Sequence, residues 1–132
     1  MKNSIKILAL GSIILLTVFC CDKKNPQPDP NIAFWGKWNL IGSGNGPQVD
    51  YYTSPSSYWE FKSDSSLLIY SYTDEETHIV KYWVDTLLYL APLGEEIPSI
   101  GIFRYQFNGD TMRLDNVFSF AMVNTHVFKK TK

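Results

Sequence analysis

The sequence predicts an all-β domain, an eight-stranded antiparallel up-and-down barrel, behind a cleavable N-terminal segment and a proline-rich tether. Three observations carry this. After residue 31 no stretch keeps apolar residues at helical spacing. Aromatic and β-branched residues recur instead in short alternating runs. Polar or glycine-containing connectors separate those runs about every ten residues. The chain has 132 residues, room for one domain, and 45% hydrophobic with 19% charged residues excludes a disordered tail or a coiled coil. A formal net charge of -1 gives no electrostatic reason to expect nucleic acid as a partner.

The first 20 residues stand apart from the fold. Lys2 and Lys6 form a basic start, and residues 7–19 form an apolar run broken by Gly11, Ser12 and Thr17. That run is short for a bilayer span and reads as a secretory signal peptide. It ends in Val18-Phe19-Cys20-Cys21, which resembles the lipobox of bacterial lipoproteins. Val18 fills the aliphatic place, Cys20 the small one, and Cys21 is the lipid acceptor. The resemblance implies a chain anchored by palmitate-type acyl groups in the bacterial cell envelope, at the outer membrane rather than the inner. More than one acyl chain anchors stably where a single chain does not.

Residues 21–31 then form a tether with Pro26, Pro28 and Pro30, too polar to bury and too proline-rich for a helix. At ~3.1 Å per residue it spans roughly 25–30 Å. Cleavage before Cys21 removes two lysines, leaving ten basic against thirteen acidic residues, a net charge of -3. No cysteine follows Cys21, so residues 32–132 must fold on their core rather than on cross-links.

Eight strands are expected in that domain, over residues 36–43, 57–63, 66–73, 77–84, 86–91, 100–108, 111–116 and 121–130. Short turns between most of them imply sequential antiparallel pairing, and closure into a barrel removes the exposed edges. Alternation assigns several faces. Trp59 and Phe61 oppose Tyr58, Glu60 and Lys62; Phe103, Tyr105 and Phe107 oppose Ile102, Arg104 and Gln106; Met112 and Leu114 oppose Thr111, Arg113 and Asp115. Residues 67–72 and 79–84 are apolar on both faces. Tyr51-Tyr52 reads as an extra β-segment. The run Gly42-Ser43-Gly44-Asn45-Gly46 reads as a flexible loop, because no Lys-Ser/Thr and no helix follows it as phosphate binding would need.

Signals for catalysis are weak. His78 and His126 stand in separate strands without a second ligand at metal-binding spacing. Asp74-Glu75-Glu76 and Glu95-Glu96 read as solvated turn carboxylates, and no nucleophile motif is present. The expectation is a non-enzymatic protein with no cofactor and no metal.

Gly36-Lys37-Trp38, preceded by residues 31–35, resembles the opening of a lipocalin. The wider pattern is similar to the lipocalin-like domain of small lipoproteins from Bacteroidetes-type bacteria. It comprises Gly36-Lys37-Trp38-Asn39-Leu40, Tyr58-Trp59-Glu60-Phe61-Lys62-Ser63-Asp64, Gly109-Asp110-Thr111-Met112-Arg113-Leu114 and Phe128-Lys129-Lys130, with Ser65 standing where a Gly is usual. The resemblance implies a short helical turn before the first strand and Trp38 closing one end of the barrel. It also implies a basic residue, Lys129 or Lys130, over that indole, and the loop after the first strand as a lid.

Together with the aromatic content, the resemblance points to a small apolar or amphipathic ligand inside the barrel. Trp59, Phe61, Tyr82, Phe103, Tyr105 and Phe107 are the wall candidates, and Arg104 a charge partner should it face inward. The alternative is a filled barrel that docks an envelope protein or a glycan through Tyr51-Tyr52 and the loop 47–56.

Overall fold

A computed structural model describes residues 29–118 and 123–132. The signal peptide, the lipobox with Cys21, and most of the tether lie outside the described residues. Among those described, no helix is long and apolar enough to cross a membrane.

The domain opens with α1 (Pro30–Phe34), a single turn. Asp29 caps it, accepting from the Asn31 backbone N–H at 2.9 Å, and Pro30 occupies the first turn, where a missing N–H costs nothing. Gly36 then turns the chain into β1 (Gly36–Asn45) with φ +110°, a conformation closed to most side chains and the physical reason for glycine there. The other strands are β2 (Gln48–Tyr51), β3 (Ser57–Phe61), β4 (Ser66–Ser71), β5 (Thr77–Val84), β6 (Leu88–Ala91), β7 (Gly101–Asn108), β8 (Thr111–Asn116) and β9 (Thr125–Lys130).

All neighbours pair antiparallel in the order β2-β1-β3-β4-β5-β6-β7-β8-β9, and β9 returns to β1. That last pairing, from Trp38↔Lys130 to Gly44↔Thr125, closes an eight-stranded barrel. β2 is additional and lies outside the closed ring.

Eight of the nine strands fall on the expected runs, with ends moved by up to four residues. The ninth, β2, takes in Tyr51 of the expected extra β-segment, whereas the flexible loop expected over residues 42–46 is the end of β1 and the start of a tight turn. There the chain stays in β1 to Asn45, turns through Gly46-Pro47 and returns, pairing Asn45↔Gln48 to Gly42↔Tyr51. Gly46 has φ +62°, which suits the first position of a two-residue hairpin turn. Gly42 and Gly44 share the outer face of β1, and β2 folds down onto it. A Cβ on Gly44 would collide with the Gln48 carbonyl. These glycines therefore serve a close backbone approach, not mobility.

Ser65, in the β3–β4 turn, has φ +66°. The turn needs a left-handed residue, which explains why glycine is usual at that place; here Asp64 Oδ1 steadies it, accepting from the Ser66 N–H at 3.0 Å and hydroxyl at 2.6 Å.

Candidate functional site: the open end of the barrel

The barrel interior changes character along its axis. At the end covered by α1, aromatic rings fill the space. Phe34 packs on Phe61, Tyr105 and Phe107 with ring centroids 5.0–5.1 Å apart, and Phe61 meets Tyr82 edge-on at 5.0 Å. Trp38 is 1% exposed, and its indole N–H donates to the Phe34 carbonyl at 2.6 Å. The one polar atom of a buried ring is thus satisfied. Lys130 Nζ lies 5.0 Å from the centre of that ring, whereas Lys129 reaches away to Asp110 at 3.8 Å. The Tyr82 hydroxyl donates to the Lys62 carbonyl, and that of Tyr105 to the Asp85 carbonyl. This end is closed.

Toward the other end the filling stops at one layer. Trp59 is half-buried and meets Phe103 edge-on at 6.2 Å, with Phe128 beneath it at 5.0 Å. His126 completes the layer, 6.5 Å from Trp59 and 6.3 Å from Phe103 between ring centroids. Beyond it the inward positions, followed by register from Trp59, Ile69, Val80, Phe103 and Leu114, become small or polar. They are Ser57 on β3, Ser71 on β4, His78 on β5, Gly101 on β7 and Asn116 on β8. On β6 a large side chain, Leu90, persists at this height. The geometry is a shallow cup with an aromatic floor and a polar rim.

Rim groups are held from the loops. The Ser71 hydroxyl donates to Asp74 at 3.0 Å, His78 faces Glu76 at 3.5 Å, and the hydroxyls of Ser43 and Tyr52 are hydrogen-bonded. On the floor, burial pushes the His126 imidazole below its usual pKa, opposed by the Asp115 carboxylate. Its Nδ1 is buried without a hydrogen-bond partner among the described residues. Neutral His126 thus fits the site better than its protonated form.

Of the expected wall residues, only Trp59 and Phe103 line this cup. Phe61 and Tyr82 are packed in the closed half, each 1% exposed, and Tyr105 and Phe107 abut α1. Arg104 lies across from Asp115 in the β7–β8 ladder on the outer wall, as the alternation implies, and so is no charge partner inside the barrel. His126 is the site residue sequence reasoning missed, although it stands two places before inward Phe128 and so shares its face. The expected lid after β1 is the β1–β2 hairpin, and it is pinned: Arg113 donates to the Gly46 carbonyl at 2.6 Å, and the Gly46 N–H donates to Asn124 Oδ1 at 3.0 Å. Among the described residues, no three His, Cys, Asp or Glu side chains are grouped to hold a metal ion.

No protein-family model matches the sequence, and no curated protein matches it. Solved structures do resemble the fold. A lipocalin-like protein from Bacteroides uniformis ATCC 8492 superposes with a TM-score of 0.52 at 14% identity, covering 74% of this chain and 98% of that one. An uncharacterized protein from Bacteroides eggerthii DSM 20697 gives 0.50 at 16% identity, covering 74% and 99%. At such identities the likeness is one of fold, and with the closed ring, the α1 plug and the buried Trp38 it shows that the chain has a lipocalin-like barrel fold.

Proposed function

We propose that the protein is a lipid-anchored, non-catalytic component of the bacterial cell envelope that holds a small amphipathic molecule in the cup at the open end of its barrel. The observation that supports this best is the change of inward side chains above the Trp59–Phe103–His126 layer. An apolar group rests on the two rings, and the serines, His78 and Asn116 meet its polar part, the usual division of labour in a ligand pocket. The packed closed half restricts the ligand to the upper part of the barrel. The anchor follows from the lipobox-like Val18–Cys21 segment and Cys21 itself.

A second reading is favoured by a different observation. Large apolar side chains stand in solvent on the open-end loops: Leu93, Ile97 and Ile100 before β7, and Phe118 after β8, with Ile97 74% exposed and Phe118 68%. Exposed apolar groups in a cluster mark interfaces, so the same end suits docking of an envelope protein.

Native mass spectrometry separates the two. The chain from residue 21 onward, with Cys21→Ala, is expected to retain a small molecule that Trp59→Ala releases. A wild-type barrel that arrives empty after expression in its native envelope favours docking instead. For the anchor, Cys21→Ala in the full chain is expected to move the protein from the membrane to the soluble fraction; membrane retention of the processed variant contradicts lipidation.

A further inference from the structure

A second cleft, outside the barrel, has a chemistry of its own. It is an open hollow of about 480 Å³ between the tip of the β1–β2 hairpin and the outer faces of β7 and β8, bounded by Gly46, Arg104, Arg113, Asp115, Asn116 and Asn124. Its acceptors are already engaged. The Asp115 carboxylate accepts from Arg113 at 3.0 Å and from the hydroxyl of fully buried Thr125 at 2.6 Å. The Gly46 carbonyl accepts from Arg113. Asn124 Oδ1 accepts from the Gly46 N–H, and Asn116 Oδ1 from the Phe118 N–H at 3.0 Å.

What the described residues leave unpaired here is donors. Each asparagine has its oxygen occupied and its side-chain NH₂ without an acceptor among the described residues. Arg113 spends Nε and Nη2 on Asp115 and Gly46 and keeps Nη1. Arg104 is exposed, and no ion pair among the described residues includes it. Asp115 neutralises one of the two guanidiniums, so the cleft keeps one net positive charge on a chain whose overall charge is negative. Arg104 lies across from Asp115 in the β7–β8 ladder, which puts its planar fork beside the spent carboxylate.

We propose that this cleft is a binding site for the oxyanion, carboxylate or phosphate, of a small solute, with Arg104 as its principal ligand and Arg113 and the two asparagine amides as supporting donors. The site opens on the outer face, where its principal ligand Arg104 stands, and Asn116 at its edge is the residue it shares with the cup rim. Planar guanidinium forks suit both oxyanions, and the charge-assisted bonds they form are the stronger kind.

The test is a titration of the isotope-labelled chain from residue 21 onward, with Cys21→Ala, followed by nuclear magnetic resonance. Inorganic phosphate and succinate are the probes, with potassium chloride at matched ionic strength as the control. The expected result is saturable shifts of the Asn116 and Asn124 side-chain amides and the Arg104 guanidinium with at least one oxyanion and not with chloride. The preferred probe identifies the head group. Arg104→Ala is expected to weaken that binding about tenfold or more, and Arg104→Lys less, since it keeps the charge and loses the fork. Arg104 is exposed, so both variants retain the barrel, which their backbone spectra check. Trp59→Ala leaves the binding unchanged, which distinguishes this site from the cup. Absence of these shifts, equal shifts with chloride, or undiminished affinity in Arg104→Ala overturns the proposal.

Discussion

The two ends of the barrel are built from the same strands and do opposite things with them. At the closed end each inward position carries a ring or a large aliphatic group: Phe34, Trp38, Phe61, Tyr82, Met112 and Phe107 interlock under α1. At the open end the same strands present Ser57, Ser71, His78, Gly101 and Asn116. A barrel of about a hundred residues has one modest core to distribute. Concentrating its aromatics at one end secures the fold there and releases the other from packing. Function then has a place to sit without weakening the part that holds the molecule together.

Four expected outcomes would break or sharpen this contrast. Trp38→Ala removes a buried ring and leaves a cavity and an orphaned Phe34 carbonyl, and should cost about 3–5 kcal/mol in urea unfolding. Trp59→Ala, on the partly open floor, should cost clearly less, about 1–2 kcal/mol, because water already reaches the indole. Equal losses at the two sites would mean that the open half is packed like the closed one.

The third concerns His126. Its folded-state pKa lies below the unfolded value of 6.5, so on acidification the unfolded chain takes up the proton first. Stability is therefore complete above 6.5 and falls as pH drops from there toward the folded pKa, levelling off below it. His126→Leu should flatten that part of the curve measured by denaturant titration at several pH values; an unchanged slope would remove the histidine from the buried floor.

The smallest effect is at Ser65. Replacing this left-handed serine by glycine relieves backbone strain against the added freedom of the unfolded chain, and should raise stability by about 0.5–1 kcal/mol. A loss on Ser65→Gly would show that the Asp64–Ser66 hydrogen bonds do not need that conformation.

Much of the fold was legible because strand period and turn chemistry are local. The face assignments of Trp59 and Phe61, of Phe103 to Phe107, and of Met112 and Leu114 follow from alternation alone, and the ladders keep them. Tyr51 was legible as β-structure, but the end of β1 was harder to read because glycine at every second position of residues 42–46 looks mobile; only the returning strand shows that the missing side chains make room for Gln48. Aromatic density also misleads about depth. Tyr58 stacks on Tyr70, and Trp83 on Tyr89, as cross-strand pairs on the outer wall, adding nothing to the interior. Height along the barrel axis is set by register and shear across eight strands, so no local pattern separated Phe61 and Tyr82 from Trp59 and Phe103. His126 was weighed only as a metal ligand and its place on the floor was missed for the converse reason, since a lone histidine in a strand carries no motif.

The most direct measurement is a map of where an uncharged amphiphile binds. Monomeric octyl glucoside, added to the isotope-labelled chain from residue 21 onward with Cys21→Ala, should shift resonances of Trp59, Phe103, His126, Ser57 and Ser71 while leaving Phe34, Trp38 and Phe61 unmoved. Shifts centred on the closed half, or none at the open end, would contradict a ligand cup above the aromatic floor.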